Sequence, residues 1–255
     1  MPLKVLSYNI HKGFALGNRR FVLNRIREAI QTVHADLVFL QEVIGDHKHH
    51  SRRVAAWPTT SQFEYLADEV WPHFAYGKNA VYDAGHHGNA ILSKYPFTQY
   101  ENLNISTNKL EQRGMLHCVL NVPGQPYMLH TITLHLNLLK RGRLLQVENL
   151  CRRIEDTVPH DAPLIICGDF NDWTEDVTKI LERRLDVVEA HYAMHDHHAR
   201  TFPAILPMLK LDRIYFRGLH TVHAEALKGE PWRTLSDHAA MYAELDFPAR
   251  IEAAH

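Results

Sequence analysis

The sequence predicts an α/β (α+β) chain with much strand, in an order that two packed sheets with helices outside would fit. Three observations predict it. Apolar runs of strand length recur from end to end, and two long stretches at helical spacing, 21–33 and 140–158, each separate two such runs. The order strand, helix, strand, several strands, then strand, helix, strand also looks like two loosely similar halves. At 255 residues and 45% hydrophobic the chain can bury a substantial core. No Pro/Gly/Ser-rich linker, low-complexity tract or break in composition divides it, so one domain, 1–255, is expected.

Residues 4–8 form the first expected strand. Asn18 precedes a helical stretch with Phe21, Val22, Ile26, Ala29, Ile30 and Val33 on one side. Residues 36–43 are almost wholly apolar until Gln41-Glu42, which suits a strand covered on both faces. The polar stretch 45–60, with Arg52, Arg53 and several histidines, is expected to be a long loop near the site. Ser61 caps a second helix running to about residue 71. Strands follow at about 74–82, 88–93, 98–105 and 113–122, then a turn at Pro123-Gly124-Gln125-Pro126 and a strand at 127–135. The longest helix, 140 to about 158, carries Leu144, Val147, Leu150, Cys151 and Ile154 on one face. A strand at 163–167, a helix near 175–185 and strands at about 211–216, 220–226 and 239–247 complete the order.

Charge is balanced, at net −1, which removes the strong electrostatic footprint of a non-specific nucleic-acid binder. Cys118, Cys151 and Cys167 are an odd number, lie far apart and are expected to be reduced core thiols. Nothing at the N-terminus resembles a signal peptide and no apolar run approaches membrane-spanning length, so a cytoplasmic protein without a transmembrane segment is expected. The histidine clusters at 47/49/50, 86/87 and 195/197/198 lie in polar segments and read as solvated loop residues.

The chemistry gathers where strands end. The apolar run closing at Cys167 passes into Gly168-Asp169-Phe170-Asn171-Asp172-Trp173, delivering polar groups at a strand terminus. Asp169 and Asn171 are two apart, and on extended backbone they point the same way, suiting a hard cation or a phosphoryl oxygen; a simple turn is the alternative. Glu42 closes another apolar strand, where a charge must be paired, coordinated or solvated. Ser7-Tyr8-Asn9, Thr133-Leu134-His135-Leu136, Leu211-Asp212-Arg213-Ile214 and Ser236-Asp237-His238 close or open further strands.

In order and spacing these six motifs resemble those of the endonuclease/exonuclease/phosphatase superfamily, the DNase I-like fold, from about Val5 to Leu245. The opening Asn9-Ile10-His11-Lys12-Gly13 is most similar to bacterial members without a settled substrate. The resemblance implies a four-layer sandwich, two mixed sheets flanked by helices. It also implies a Mg²⁺-dependent (or Mn²⁺-dependent) hydrolase of phosphate esters, with Glu42, Asn9 and Asp237 around the metal. Asp212 would pair with His238, which acts as base or as electrostatic clamp. Asp169 would orient or deprotonate water, Asn171 bond a phosphoryl oxygen, and His135 contact phosphate or protonate the leaving group. Arg113 and Asn89, the latter in Gly88-Asn89-Ala90-Ile91-Leu92-Ser93, would bind phosphate; an ordinary salt bridge and an ordinary turn are the alternatives.

Diester cleavage, as in a nuclease or related phosphodiesterase, is the leading expectation. A phosphatase or phosphodiesterase for a phospholipid or small phosphorylated metabolite is the second, and a silent binding module the third. Nucleic acid is admissible as substrate but not strongly indicated, and no protein partner is inferable. The apolar stretch 202–209 would form a rim for a lipid if exposed; burial is the expectation.

Overall fold

A computed structural model describes residues 1–18, 20–54, 56–109 and 111–248. In chain order its elements are β1 (Leu3–Asn9), α1 (Leu23–Thr32), β2 (Leu37–His47), α2 (His50–Arg53), α3 (Gln62–Ala67), β3 (His73–Tyr82), β4 (Gly85–Ser93), β5 (Phe97–Asn104) and β6 (Gly114–Leu120). There follow β7 (Leu129–His135), α4 (Lys140–Thr157), β8 (Leu164–Asp169), α5 (Asp176–Leu185), β9 (Val188–Glu189), α6 (Ala190–His195), β10 (Asp212–Arg217), β11 (His220–Leu227) and β12 (Ala240–Asp246). Among the described residues they build two six-stranded sheets, ordered β11-β12-β1-β2-β4-β3 and β5-β6-β7-β8-β10-β9. Each sheet is built on one parallel pair joined through a helix, β1–β2 through α1 and β7–β8 through α4, with antiparallel strands on either side. The two similar halves expected from the sequence are these two sheets.

Strand alternation explains the layers. In β1, Leu3 and Val5 face the other sheet while Leu6 and Tyr8 face outward. In β8, Ile165 and Cys167 point inward and Leu164 and Ile166 outward. The inner residues of both sheets form one core cluster. Outside, Ile26 and Ile30 of α1 and Leu66 of α3 cover the first sheet, while Val147, Leu150 and Ile154 of α4 and Leu181 of α5 cover the second. Four layers result. Continuing the inward phase to the strand ends brings polar residues into the seam between the sheets: Asn9, Gln41, His135, Asp169 and Asp212. Gln41 already bridges it, its Nε2 donating to Thr133 Oγ1 at 3.0 Å.

Several expectations change. The loop expected at 45–60 is shorter, because β2 runs on to His47 beside β4 and α2 follows. The first helix begins at Leu23 rather than after Asn18, since a bridge between Phe14 and Phe21 holds the preceding chain in irregular form. The second ends at Ala67, where Asp68 turns to φ 42°. β9 and α6 escape sequence reading because two and six residues are too short to show a period. His198 is buried, its Nδ1 2.8 Å from Glu189 Oε2, and the His47 and His50 rings stand 3.8 Å apart, so these are not freely solvated side chains. All three cysteines are free and buried.

The segment 202–209 reverses its expectation. Ile205, Leu206 and Met208 are 52%, 68% and 63% exposed. The stretch closes on itself through Met208 N–H to Phe202 O and Thr201 N–H to Leu209 O, both 2.8 Å, so its backbone is satisfied without entering the core. No helix among the described residues is long and apolar enough to cross a membrane.

Candidate active site

Register brings His135, Asp169 and Asp212 side by side on β7, β8 and β10, while Asn9 and Gln41 pair on the facing sheet. Asp169 is the hub. Its Oδ2 lies 3.4 Å from His135 Nε2 and 3.6 Å from His238 Nε2, and accepts from Asn9 Nδ2 at 3.2 Å. Its Oδ1 accepts the Asn171 N–H at 3.0 Å. His238, in the turn before β12, sets Nδ1 2.8 Å from Asp212 Oδ2. Asp212 Oδ1 is buried without a hydrogen-bond partner.

Glu42 enters from a β-bulge between Leu40 and Val43, at φ 56°. The extra residue breaks the alternation and turns the carboxylate into the seam beside Asn9, whose Nδ2 is 3.5 Å from Oε1. Lys12 Nζ lies 3.7 Å from Oε2. Asn9 Oδ1 accepts the His11 N–H at 3.1 Å, which directs the amide nitrogen between the Glu42 and Asp169 carboxylates. Asp237 lies 3.7 Å from His11 Nδ1 and accepts from Ser236 Oγ, which is also bonded to Asn9 O at 2.7 Å. Serine thus ties the first motif to the last.

Burial sets the protonation. It pushes the Asp169 carboxyl up, with the Asp212 charge adding and the His238 ring opposing. Burial would lower His238, but the Asp212 and Asp169 carboxylates outweigh it and raise the ring to about 10. His135 goes the other way, held well below the usual imidazole value by burial and by Arg113. Burial would raise Glu42, yet His135, Lys12 and His11 hold it down at about 2. A raised His238, a lowered His135 and a lowered Glu42 therefore surround a carboxyl that burial raises.

The carboxylate and amide donors are those that suit a hard divalent cation. Glu42 stays ionised beside Asn9, and Asp212 keeps an unpartnered buried oxygen. The residues present fit such an ion.

Two expected residues border the cluster with contacts of their own. Asn89 is buried and donates from Nδ2 to Gly114 O at 3.1 Å, fastening β4 to β6 across the seam. Arg113 NH2 lies 3.5 Å from Glu111 Oε1, and its charge bears on the cluster through His135. Asn171 does not continue the strand: β8 ends at Asp169, and Asn171 sits at φ 48° with Nδ2 bonded to Leu136 O at 2.9 Å. The turn, rather than alternation, aims it. His87, expected as a solvated loop residue, is instead a half-buried ring on β4, lowered to about 4 by burial and Lys12. Its neighbour in sequence, His86, leans on Tyr76 instead, and only the strand phase of β4 separates the two roles.

The sequence model of the Endonuclease/Exonuclease/phosphatase family matches residues 6–238. The chain belongs to that family. It is 44% identical over 242 residues, 95% of each chain, to the uncharacterized protein YbhP of Escherichia coli K12. Among solved structures sharing the family fold, D. rerio TDP2 complexed with a single-strand DNA product aligns over 96% of this chain and 98% of its own, at 22% identity and TM-score 0.70. A mannosyl-6-phosphatase of Bacteroides thetaiotaomicron aligns over 96% and 100%, at 18% identity and TM-score 0.73. At those identities the likeness is one of fold, and family membership leaves the substrate to the site.

Proposed function

We propose that this family member is a divalent-metal-dependent phosphoesterase, with phosphodiester cleavage the leading reaction. The observation that carries the reading is the Asp212–His238–Asp169 line with His135 on the other side of the same Asp169 oxygen.

Hydrolysis needs a water stripped of a proton, neutralisation of phosphoryl charge and a stabilised leaving oxygen. Asp169, raised toward neutrality by burial, is matched to accept the proton of water as it attacks phosphorus. His238, held charged by Asp212, is better suited to clamp a phosphoryl oxygen than to serve as base. Asn171 retains a second amide hydrogen for the same task. His135, neutral, can donate a hydrogen bond toward the leaving oxygen as the P–O bond breaks. Glu42 would hold Mg²⁺ or Mn²⁺, with Asn9 and Asp237 the other expected ligands, and the ion when bound supplies Lewis-acid neutralisation of the phosphoryl charge.

Asp169→Asn and His238→Ala are expected to lower kcat on an aryl phosphodiester by roughly 10²–10⁴-fold with circular dichroism unchanged. A near-normal rate in either variant overturns the assignment. Glu42→Gln is expected to weaken Mg²⁺ binding in calorimetry at fixed pH, and an unchanged isotherm contradicts the ligand role.

A second reading rests on exposed apolar chain. Ile205, Leu206 and Met208 stand beside Phe202, whose ring lies 4.9 Å from that of His238. This lip favours a phosphate ester with an apolar portion, such as a phospholipid, over a small polar metabolite.

A further inference from the structure

Behind the polar seam lies a second, fully buried charge cluster. Asp172 follows Asn171 and is 0% exposed; Arg213 follows Asp212 and Arg143 lies on α4, each 1% exposed. Strand phase separates the pairs: Asp212 points into the seam, and Arg213 into the layer beneath. Asp172 Oδ2 accepts from Arg213 NH1 at 3.1 Å and from the N–H groups of Val177 and Thr178 at the start of α5, at 2.9 and 3.4 Å. Arg213 NH2 donates back to Asp172 O at 2.6 Å and to Lys210 O at 3.3 Å. Arg143 brings Nε to 3.9 Å from Asp172 Oδ1, while its NH1 donates to Asn137 O and Leu138 O just beyond β7. Its guanidinium also lies 5.1 Å over the Trp173 ring.

One carboxylate is thereby joined to the chain beside each of His135, Asp169 and Asp212. Helix capping does not require this, because a neutral Ser or Asn caps as well. Stability does not require it either, since a buried ion cluster is commonly replaceable by apolar residues without loss. The seam, by contrast, depends on fine spacing. His135 and His238 stand 3.4 and 3.6 Å from Asp169 Oδ2, at the outer edge of hydrogen-bond length, so a displacement well under an ångström alters both contacts.

Building on the reading of the seam as a phosphoesterase site, we infer that Asp172, clamped by Arg213 and Arg143, is a positioning residue that sets the mutual spacing of His135, Asp169 and Asp212. It touches no substrate and acts through the strand ends.

The test compares Asp172→Asn/Arg213→Met, which removes both charges of the principal pair, with the parent and with Asp169→Asn, all on one aryl phosphodiester. The double variant is expected to melt near the parent and yet lose roughly 100-fold in kcat, with KM within about threefold. The downfield proton of the His238–Asp212 hydrogen bond is expected to shift in the same variant. Arg143→Met is expected to lower kcat in the same direction and serves should the double variant not fold. A folded variant with parental kcat and an unmoved proton overturns the inference, as does a change confined to KM. Normal turnover in Asp169→Asn overturns the reading of the seam itself, a result separate from either.

Discussion

His238 owes its charge to one neighbour more than any other. Burial alone draws the ring below the usual imidazole value, and the Asp212 carboxylate 2.8 Å away reverses the sign. With a folded value near 10 against an ordinary 6.5, the proton is held through neutrality and released only as pH rises through the alkaline range. Asp212→Asn is therefore expected to move the His238 ring titration downward in ¹⁵N NMR of the metal-free protein; an unmoved midpoint contradicts the pairing. At this scale much was legible. Asn9, His135, Asp169 and Asp212 come together because each closes or opens a strand whose phase the apolar pattern already fixed. Asp172 and Arg213 were not, since a charged residue adjacent to a motif carries no mark of whether it faces the cleft or the layer behind. His87 was misread as a solvated loop residue for the same reason, since it and His86 lie on one strand with opposite phase.

Among elements, β7 and β8 matter most, for their parallel register sets His135 beside Asp169. Gly168 permits it. At φ 150°, a Cβ there would lie 2.0 Å from Leu134 O, so any side chain forces the strands apart where the two site residues meet. Gly168→Ala is expected to lower the melting temperature and to reduce activity beyond the loss of folded protein; parental values for both contradict this account. The sequence shows a glycine before an aspartate, which reads equally as a turn; only the parallel neighbour reveals the close approach. Boundaries followed similar logic. Ser61 was legible as a cap, and its capping box with Glu64 is present. The bulge that turns Glu42 inward was not, because an inserted residue leaves the hydrophobic run unbroken.

For the whole molecule, one arrangement accounts for both stability and site. Inward-facing apolar residues from both sheets make the core, and the same phase carried to the strand ends makes the seam polar. The repeated strand–helix–strand pattern was visible because α1 and α4 are long enough to show a period. The exposure of 202–209 was not, because composition says that a stretch is apolar and not what covers it. Replacing Ile205, Leu206 and Met208 together with serine is expected to leave the melting temperature within a few degrees of the parent, as befits residues outside the core. The same change is expected to lower turnover of a phospholipid substrate if the apolar lip holds its chains, and equal turnover removes the second reading.

The most direct measurement is ³¹P NMR of a mixture holding an oligonucleotide, a glycerophospholipid in detergent and an inositol phosphate, before and after adding protein with Mg²⁺. New phosphomonoester signals from a diester component are expected, absent with Asp169→Asn and absent with chelator. An unchanged spectrum across all three components, or conversion that Asp169→Asn sustains, contradicts the assignment of this seam as the hydrolytic centre.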